Sequence, residues 1–466
     1  MNLSFLKKST PYIVIGLCIA FASSSFILLS AFQHWHDQQR FVQIVLIAVC
    51  AFISLFIIYS LPKLAKTLVF AVFFLGGLSA VFAAYPVWAL YEWATYLGLF
   101  FVAAIVCYSS VSSVKFSVLV LAILAFATVV NSLQFITVYL AAIFSGLHNF
   151  NAAMLYSGFS NPRFLNQFQA LSLPVLGYLF FEYRRQHFSY AKALAGVIFI
   201  SLLTQWVIAF TLGGRGLWLA LTVSNLMLIG FFPRYWRLLV AQLIAGLLAW
   251  LLYYLMFTVV PEHLGTSPRL WDNLRSGLSS RETIWQLAWD MFKAHPWLGA
   301  GPMHFSAEVN SVAAHPHQVV LQWLAEWGIF ATLAAVFLAV WGMLSGLKYI
   351  RQAKSTALDA VLWMSILNAL VLAQVDGVFV MPYTVTWLAI LIGLAWARWS
   401  SHSDTVSRST KNIFKLAAVI TFAVCLYILF VVVPNYVQMN SNATEQQNDF
   451  VPRFWAQGFI PYASLK

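Results

Sequence analysis

A few residues of this sequence could do chemistry, and each lies at the edge of an apolar run. Arg215 sits within Gly213-Gly214-Arg215-Gly216, Arg281 follows Ser279-Ser280, and His315 and His317 flank Pro316 just before Gln318. Arginine forks match phosphate oxygens bidentately, and an imidazole can take a proton near neutral pH. Two arginines and a histidine could hold a diphosphate, stabilise the charge that builds as it leaves, and deprotonate an attacking hydroxyl. The chemistry suggested is transfer of a group from a lipid diphosphate to a hydroxyl acceptor. No metal is required, because the arginines can supply the positive charge.

Each motif also has a plainer reading. The glycines around Arg215 let the backbone turn and approach a ligand, but an interfacial arginine can also snorkel to headgroups. Ser279 and Glu282 have capping-box spacing, and Ile284, Leu287, Ala288 and Met291 form a helical stripe that Trp285, Trp289 and Phe292 broaden. Pro296 and Gly299-Ala300-Gly301-Pro302 end that helix, so Arg281 would sit in its first turn, where the helix dipole favours an anion. The alternative is a surface arginine paired with Glu282 or Glu308. His315 and His317 lack a third ligand at metal spacing, and either could be an interfacial aromatic with a polar tip. The acids Glu262, Asp272, Glu308 and Asp376 are isolated from one another in the sequence.

The elements that must position these residues are membrane helices. Apolar residues make up 62% and charged residues 9%, against about 25% charged in an ordinary globular chain. So few charges cannot cover a soluble surface. The chain is expected to be an all-α polytopic membrane protein, a single unit over residues 1–466. Apolar stretches near 11–33, 41–61, 67–88, 90–109, 116–146, 168–182, 193–212, 217–232, 238–260, 317–346, 356–375, 383–398 and 416–434 give about thirteen spans (12–14). The stretch 116–146 is long enough to break, and 168–182 is short. The four cysteines, Cys18, Cys50, Cys107 and Cys425, lie singly in apolar runs and read as small buried hydrophobes.

The 26 Lys and Arg exceed the 14 Asp and Glu, for a net charge of +12. With the N-terminus in the cytoplasm, 17 of the basic residues fall inside and nine outside, in accord with the positive-inside rule. The nine are Arg40, Arg163, Arg215, Arg269, Arg275, Arg281, Lys293, Arg453 and Lys466. The outer face then carries a large periplasmic loop with short helices at 261–316 and a short tail at 435–466. The basic balance reports topology and diphosphate chemistry, not nucleic acid. No Walker loop or dinucleotide turn is present in the sequence, so no cofactor is expected. A lipid-linked glycan transporter is the rival of another class; Glu92, Glu326, Asp359 and Asp376 lie near or within spans, mostly towards their edges, and no internal repeat is evident.

The motifs resemble the O-antigen ligase superfamily. The resemblance is carried by Arg281 with Trp285, His295-Pro296-Trp297-Leu298-Gly299-Ala300-Gly301, His315-Pro316-His317-Gln318 with Leu321-Gln322, and Glu326-Trp327-Gly328. Gly213-Gly214-Arg215-Gly216-Leu217-Trp218-Leu219 resembles the family's arginine-glycine turn, and Ser160-Asn161-Pro162-Arg163-Phe164-Leu165-Asn166 its upstream motif. The resemblance implies glycan transfer from undecaprenyl diphosphate at the periplasmic face of a bacterial inner membrane. Lipopolysaccharide ligases use lipid A–core as acceptor, O-oligosaccharyltransferases a pilin or other protein hydroxyl, and polymerases another lipid-linked glycan. It implies Arg215 and Arg281 as diphosphate ligands and His317 as the base. Gln318 replaces the family's asparagine, which leaves His315 as the other candidate base. Arg163 and Asn166 are candidate donor or acceptor contacts. Pro452-Arg453-Phe454-Trp455 is similar to the tails of pilin-directed members and leans the reading that way, although aromatic residues there also suit an interfacial anchor.

Overall fold

The computed structural model describes residues 3–57, 60–146, 154–187, 189–265, 281–400, 407–442 and 450–461. Ser279, Ser280, Arg269, Arg275 and Lys466 lie outside the described residues. Among those described, the architecture is all helical, with no β-strand. In chain order the helices are α1 Leu3–Ser23, α2 Trp35–Ser54, α3 Lys63–Val81, α4 Pro86–Ser112, α5 Val114–Phe144, α6 Pro162–Arg185, α7 Ala191–Leu212, α8 Arg215–Phe231, α9 Trp236–Tyr254 and α10 Val260–His263. They continue with α11 Arg281–Ala294, α12 Val319–Ile350, α13 Ala357–Leu372, α14 Pro382–Trp399, α15 Arg408–Tyr427 and α16 Val433–Asn442. Each of the thirteen expected stretches carries a helix. Ten are long and apolar enough to cross a bilayer, and α8 and α13 are shorter apolar helices.

The stretch long enough to break is one unbroken helix, α5. The short stretch is instead the full-length α6, which starts six residues earlier than the hydropathy suggests. Asn161 caps it by accepting the Arg163 N–H at 2.9 Å, and Pro162 follows as its first residue. Hydropathy misses this start because Asn166, Gln167 and, just beyond them, Gln169 are amides, yet all three are buried. Gln167 donates to Asp376, and the other two join a chain of amides across the bundle. Asn166 donates to Gln169, Gln169 to Gln205 on α7, and Gln205 to Asn131 and Ser132 on α5. Such bonds tie helices together where an apolar surrounding offers no competing water.

A kink inside α12 is fixed by close backbone contact. Gly328 interrupts the helix at φ 75°, and Gly299 in the preceding loop has the same φ. A Cβ on Gly299 would come within 2.3 Å of Glu326 backbone, and one on Gly328 within 2.2 Å of the Trp297 carbonyl oxygen. Glycine alone permits both the positive φ and the approach. Across this contact Ala300 N–H bonds to Ala325 O, Gly301 N–H to Glu326 O, and Ile329 N–H to Pro296 O. The His-Pro-Trp-Leu-Gly-Ala-Gly and Glu-Trp-Gly motifs are therefore two halves of one joint. Below it, Trp327 fills the space left by Gly76 and seats α12 on α3.

Residues 450–461 do not form the exposed aromatic anchor that their composition allows. They pack into the bundle, with Arg453, Phe454, Trp455, Ala456 and Ile460 each at most 2% exposed. Arg40, counted among the outside positives, is buried beside them and donates to the carbonyls of Phe454, Arg453 and Val380.

Candidate active site

Three arginines enter the site from the first turns of three helices. α7 ends on Gly213 in the left-handed conformation at φ 60°, Gly214 is the extended N-cap of α8, and Arg215 is its first residue. Arg163 is the second residue of α6, and Arg281 opens α11. Arg215 is exposed, and Arg163 and Arg281 are partly buried. Burial draws the Arg281 guanidinium below the usual arginine value, opposed by Asp376 and reinforced by the charges of Arg163 and Arg215. Arg163 and Arg215 each lie near enough to Arg281 for their charges to act on it. Such a cluster is satisfied by an anion.

α11 holds its place through the expected stripe. Ile284, Ala288 and Met291 pack with Phe305 and Ala325, while Trp289 is exposed. Trp285 Nε1 donates to the Pro316 carbonyl at 3.0 Å, which fastens α11 to the histidine loop.

His315 and His317 meet edge to face, with ring centroids 4.1 Å apart. Their environments differ sharply. His315 is buried, and Gly377 leaves room for its ring, since a Cβ there would lie 2.4 Å from His315 Cε1. Burial, then the charges of His317, Arg453, His36 and Arg163, hold His315 well below the ordinary imidazole range, so it stays neutral. Its Nδ1 faces the His317 N–H at 3.4 Å. His317 itself has φ 55°, one of two non-glycine residues in the described chain with positive φ. Strain of this kind gathers at functional sites.

His317 Nδ1 lies 3.6 Å from Asp376 Oδ1, on the loop between α13 and α14. That is ion-pair range, slightly beyond a direct hydrogen bond. Asp376 Oδ1 also accepts from Gln167 Nε2 at 3.0 Å and the Gly377 N–H at 2.7 Å. Burial would raise the Asp376 carboxyl, but His317, the Gly377 N–H and Arg163 outweigh it and hold it below the usual carboxylate value. The sequence offered Asp376 only as an isolated acid. Its signal was an Asp-Gly step closing an apolar helix, and its partner lies 59 positions upstream.

Residues 198–336 match the O-Antigen ligase family model. The resemblance read from the motifs is thus borne out over this segment, which contains Arg215, Arg281, His315, His317 and the glycine joint. The O-antigen ligase match supports a glycan-transfer function of ligase or polymerase type, within a multi-pass membrane protein. No curated protein matches the chain.

The remaining candidates are more committed internally than the motifs suggest. Asn166 is buried under the arginine turn, where a Cβ on Gly214 would lie 2.2 Å from its Oδ1. Gln318 caps α12 by accepting the Leu321 N–H, and its Nε2 donates to Gln374 at 3.1 Å. Both brace the motifs beside them. Among the described residues no group of three His, Cys, Asp or Glu comes together as a metal site.

Proposed function

We propose that the protein transfers a glycan from undecaprenyl diphosphate to a hydroxyl acceptor at the periplasmic face of a bacterial inner membrane. The reading rests above all on the convergence of Arg163, Arg215 and Arg281 beside the His317–Asp376 pair. The arginines, each in the first turn of a helix, bind the diphosphate through their forks, aided by the helix dipoles there. An apolar groove of about 360 Å³ between α3, α4, α12 and α14, bordered by Tyr96, Trp323 and Phe379, suits the isoprenoid chain.

Asp376 orients His317 with Nδ1–H toward the carboxylate, which leaves Nε2 as the proton acceptor. The acceptor oxygen attacks the anomeric carbon, and its proton passes to His317. The bond from that carbon to the diphosphate oxygen breaks, and the arginines hold the charge left on the lipid diphosphate. His315, neutral and buried, supports the His317 backbone and is not the base. Arg163 joins the diphosphate clamp, while Asn166 and Gln318 act by positioning.

The acceptor favoured is a pilin or other protein hydroxyl, on the similarity of Pro452-Arg453-Phe454-Trp455 to pilin-directed members, over lipid A–core. The test supplies purified protein and lipid-diphosphate glycan with pilin, lipid A–core or a second lipid-linked glycan in separate reactions. Glycosylated pilin is expected. Product on lipid A–core or lipid-linked glycan instead reassigns the acceptor, and product on none of the three from folded protein overturns the transfer reading.

A further inference from the structure

Arg453 lies 1% exposed between two helices that supply the only carboxylates bonded to it among the described residues. Its Nε and Nη2 bond Glu92 on α4 at 2.9 and 2.6 Å, and Nη2 also bonds Glu326 on α12 at 2.6 Å. Glu326 uses its other oxygen to accept the Phe305 N–H at 3.0 Å. Two residues before Arg453, Val451 pairs with Ala456 through its N–H, which folds the segment back on itself. That fold brings Gly458 against Ala314, where an added Cβ would lie 2.8 Å from the Ala314 Cβ. Ile460 N–H then bonds the Ser306 carbonyl at 2.9 Å, and Ser306 Oγ bonds the Ala314 carbonyl at 3.0 Å. The loop 304–317 is thus gripped by one segment near its start, at Phe305 through Glu326 and at Ser306, and near its end, at Ala314.

We propose that residues 450–461 form a built-in support for the histidine loop, with Arg453 as a positioning residue that sets where His317 stands. The inference rests on the transfer reading above. Arg453 touches neither donor nor acceptor in that mechanism. It acts through Glu326 and the loop, so the arginine clamp on the diphosphate is left intact when it is removed. A loop displaced by about 1 Å can lower a rate by roughly a hundredfold. The loss should therefore fall on kcat and not on the donor KM.

The test compares the full-length protein with Arg453→Gln and Arg453→Lys, normalised to folded protein after gel filtration in detergent. Arg453→Gln is expected to lower kcat by roughly a hundredfold with donor KM within about twofold. Arg453→Lys keeps the charge without the fork and is expected to recover part of that rate. A second measurement does not depend on activity. Ala313→Cys, buried in the loop, is labelled with a membrane-impermeant maleimide, once with Arg453 intact and once combined with Arg453→Gln. The four native cysteines are buried in the bundle and serve as a silent background. Labelling is expected to be at least about tenfold faster when the tether is cut, since local opening governs access. Unchanged kcat per folded molecule, a loss confined to donor KM, or unchanged labelling each overturns the proposal. If Arg453→Gln does not fold, Arg453→Lys carries the same comparison. Wild-type turnover is the control: its failure on every acceptor overturns the transfer reading, and the labelling then decides the support on its own.

Discussion

The two histidines of the loop show how neighbouring residues of one type take different work from their surroundings. His317 is strained, partly accessible and beside a carboxylate, whereas His315 is buried and kept neutral. His317→Ala is expected to lower kcat by about 10²–10⁴-fold, the usual contribution of a general base, and Asp376→Asn to lower it less, with donor KM little changed. Turnover measurements on the three proteins check the order. Arg281→Lys keeps charge but not the bidentate fork, so donor KM should rise along with a fall in kcat. For His315 the sign follows from its depressed proton affinity. The unfolded chain binds a proton at about pH 6.5 while the folded one does not, so stability is full above that pH and falls as acid is added. Thermal unfolding in detergent between pH 7 and 5 should show His315→Asn losing less stability than the wild type over the same interval.

At the scale of elements, the site depends on helix starts meeting. α6, α8 and α11 each present an arginine in the first turn, and the glycine joint holds the kink in α12 at Gly328. Gly328→Ala forces a Cβ into a positive φ and against the Trp297 carbonyl. Backbone strain alone should lower stability by about 1–3 kcal/mol, read as a fall in the unfolding midpoint. The Gly214–Asn166 contact makes a subtler prediction. Gly214→Ala should displace Asn166 and shift the arginine turn, which raises donor KM while the His317–Asp376 pair remains in place.

For the whole molecule, the placement of charge is the organising feature. Of the nine basic residues assigned outside, Arg163, Arg215 and Arg281 converge, Lys293 pairs with Asp290 at the surface, and Arg40 and Arg453 are buried. The opposite end of the bundle carries its own ties, with Arg398 paired to Asp359 and Arg234 reaching the Gln352 carbonyl. If the site end is periplasmic, a cysteine replacing the exposed Glu308 should react with an impermeant reagent added to intact cells. One replacing the exposed Gln352 should react only after the membrane is opened. The reverse pattern would place the site in the cytoplasm.

The sequence by itself determined that the chain is a helical membrane protein, because burying so many apolar groups with so few charges leaves no other solvent. It also marked Arg215, Arg281 and the His-Pro-His step, since glycines, a helix start and a proline are local signals. Hydropathy could not see the first six residues of α6, where buried amides bond within the protein and not to water. Only the tertiary structure decided that Asp376 faces His317, that Asn166 and Gln318 brace their neighbours, and that Arg453 is an internal tether. Each of those depends on groups far apart in the chain meeting where solvent is excluded. Pairing of that kind has no period or motif, and packing alone brings it about.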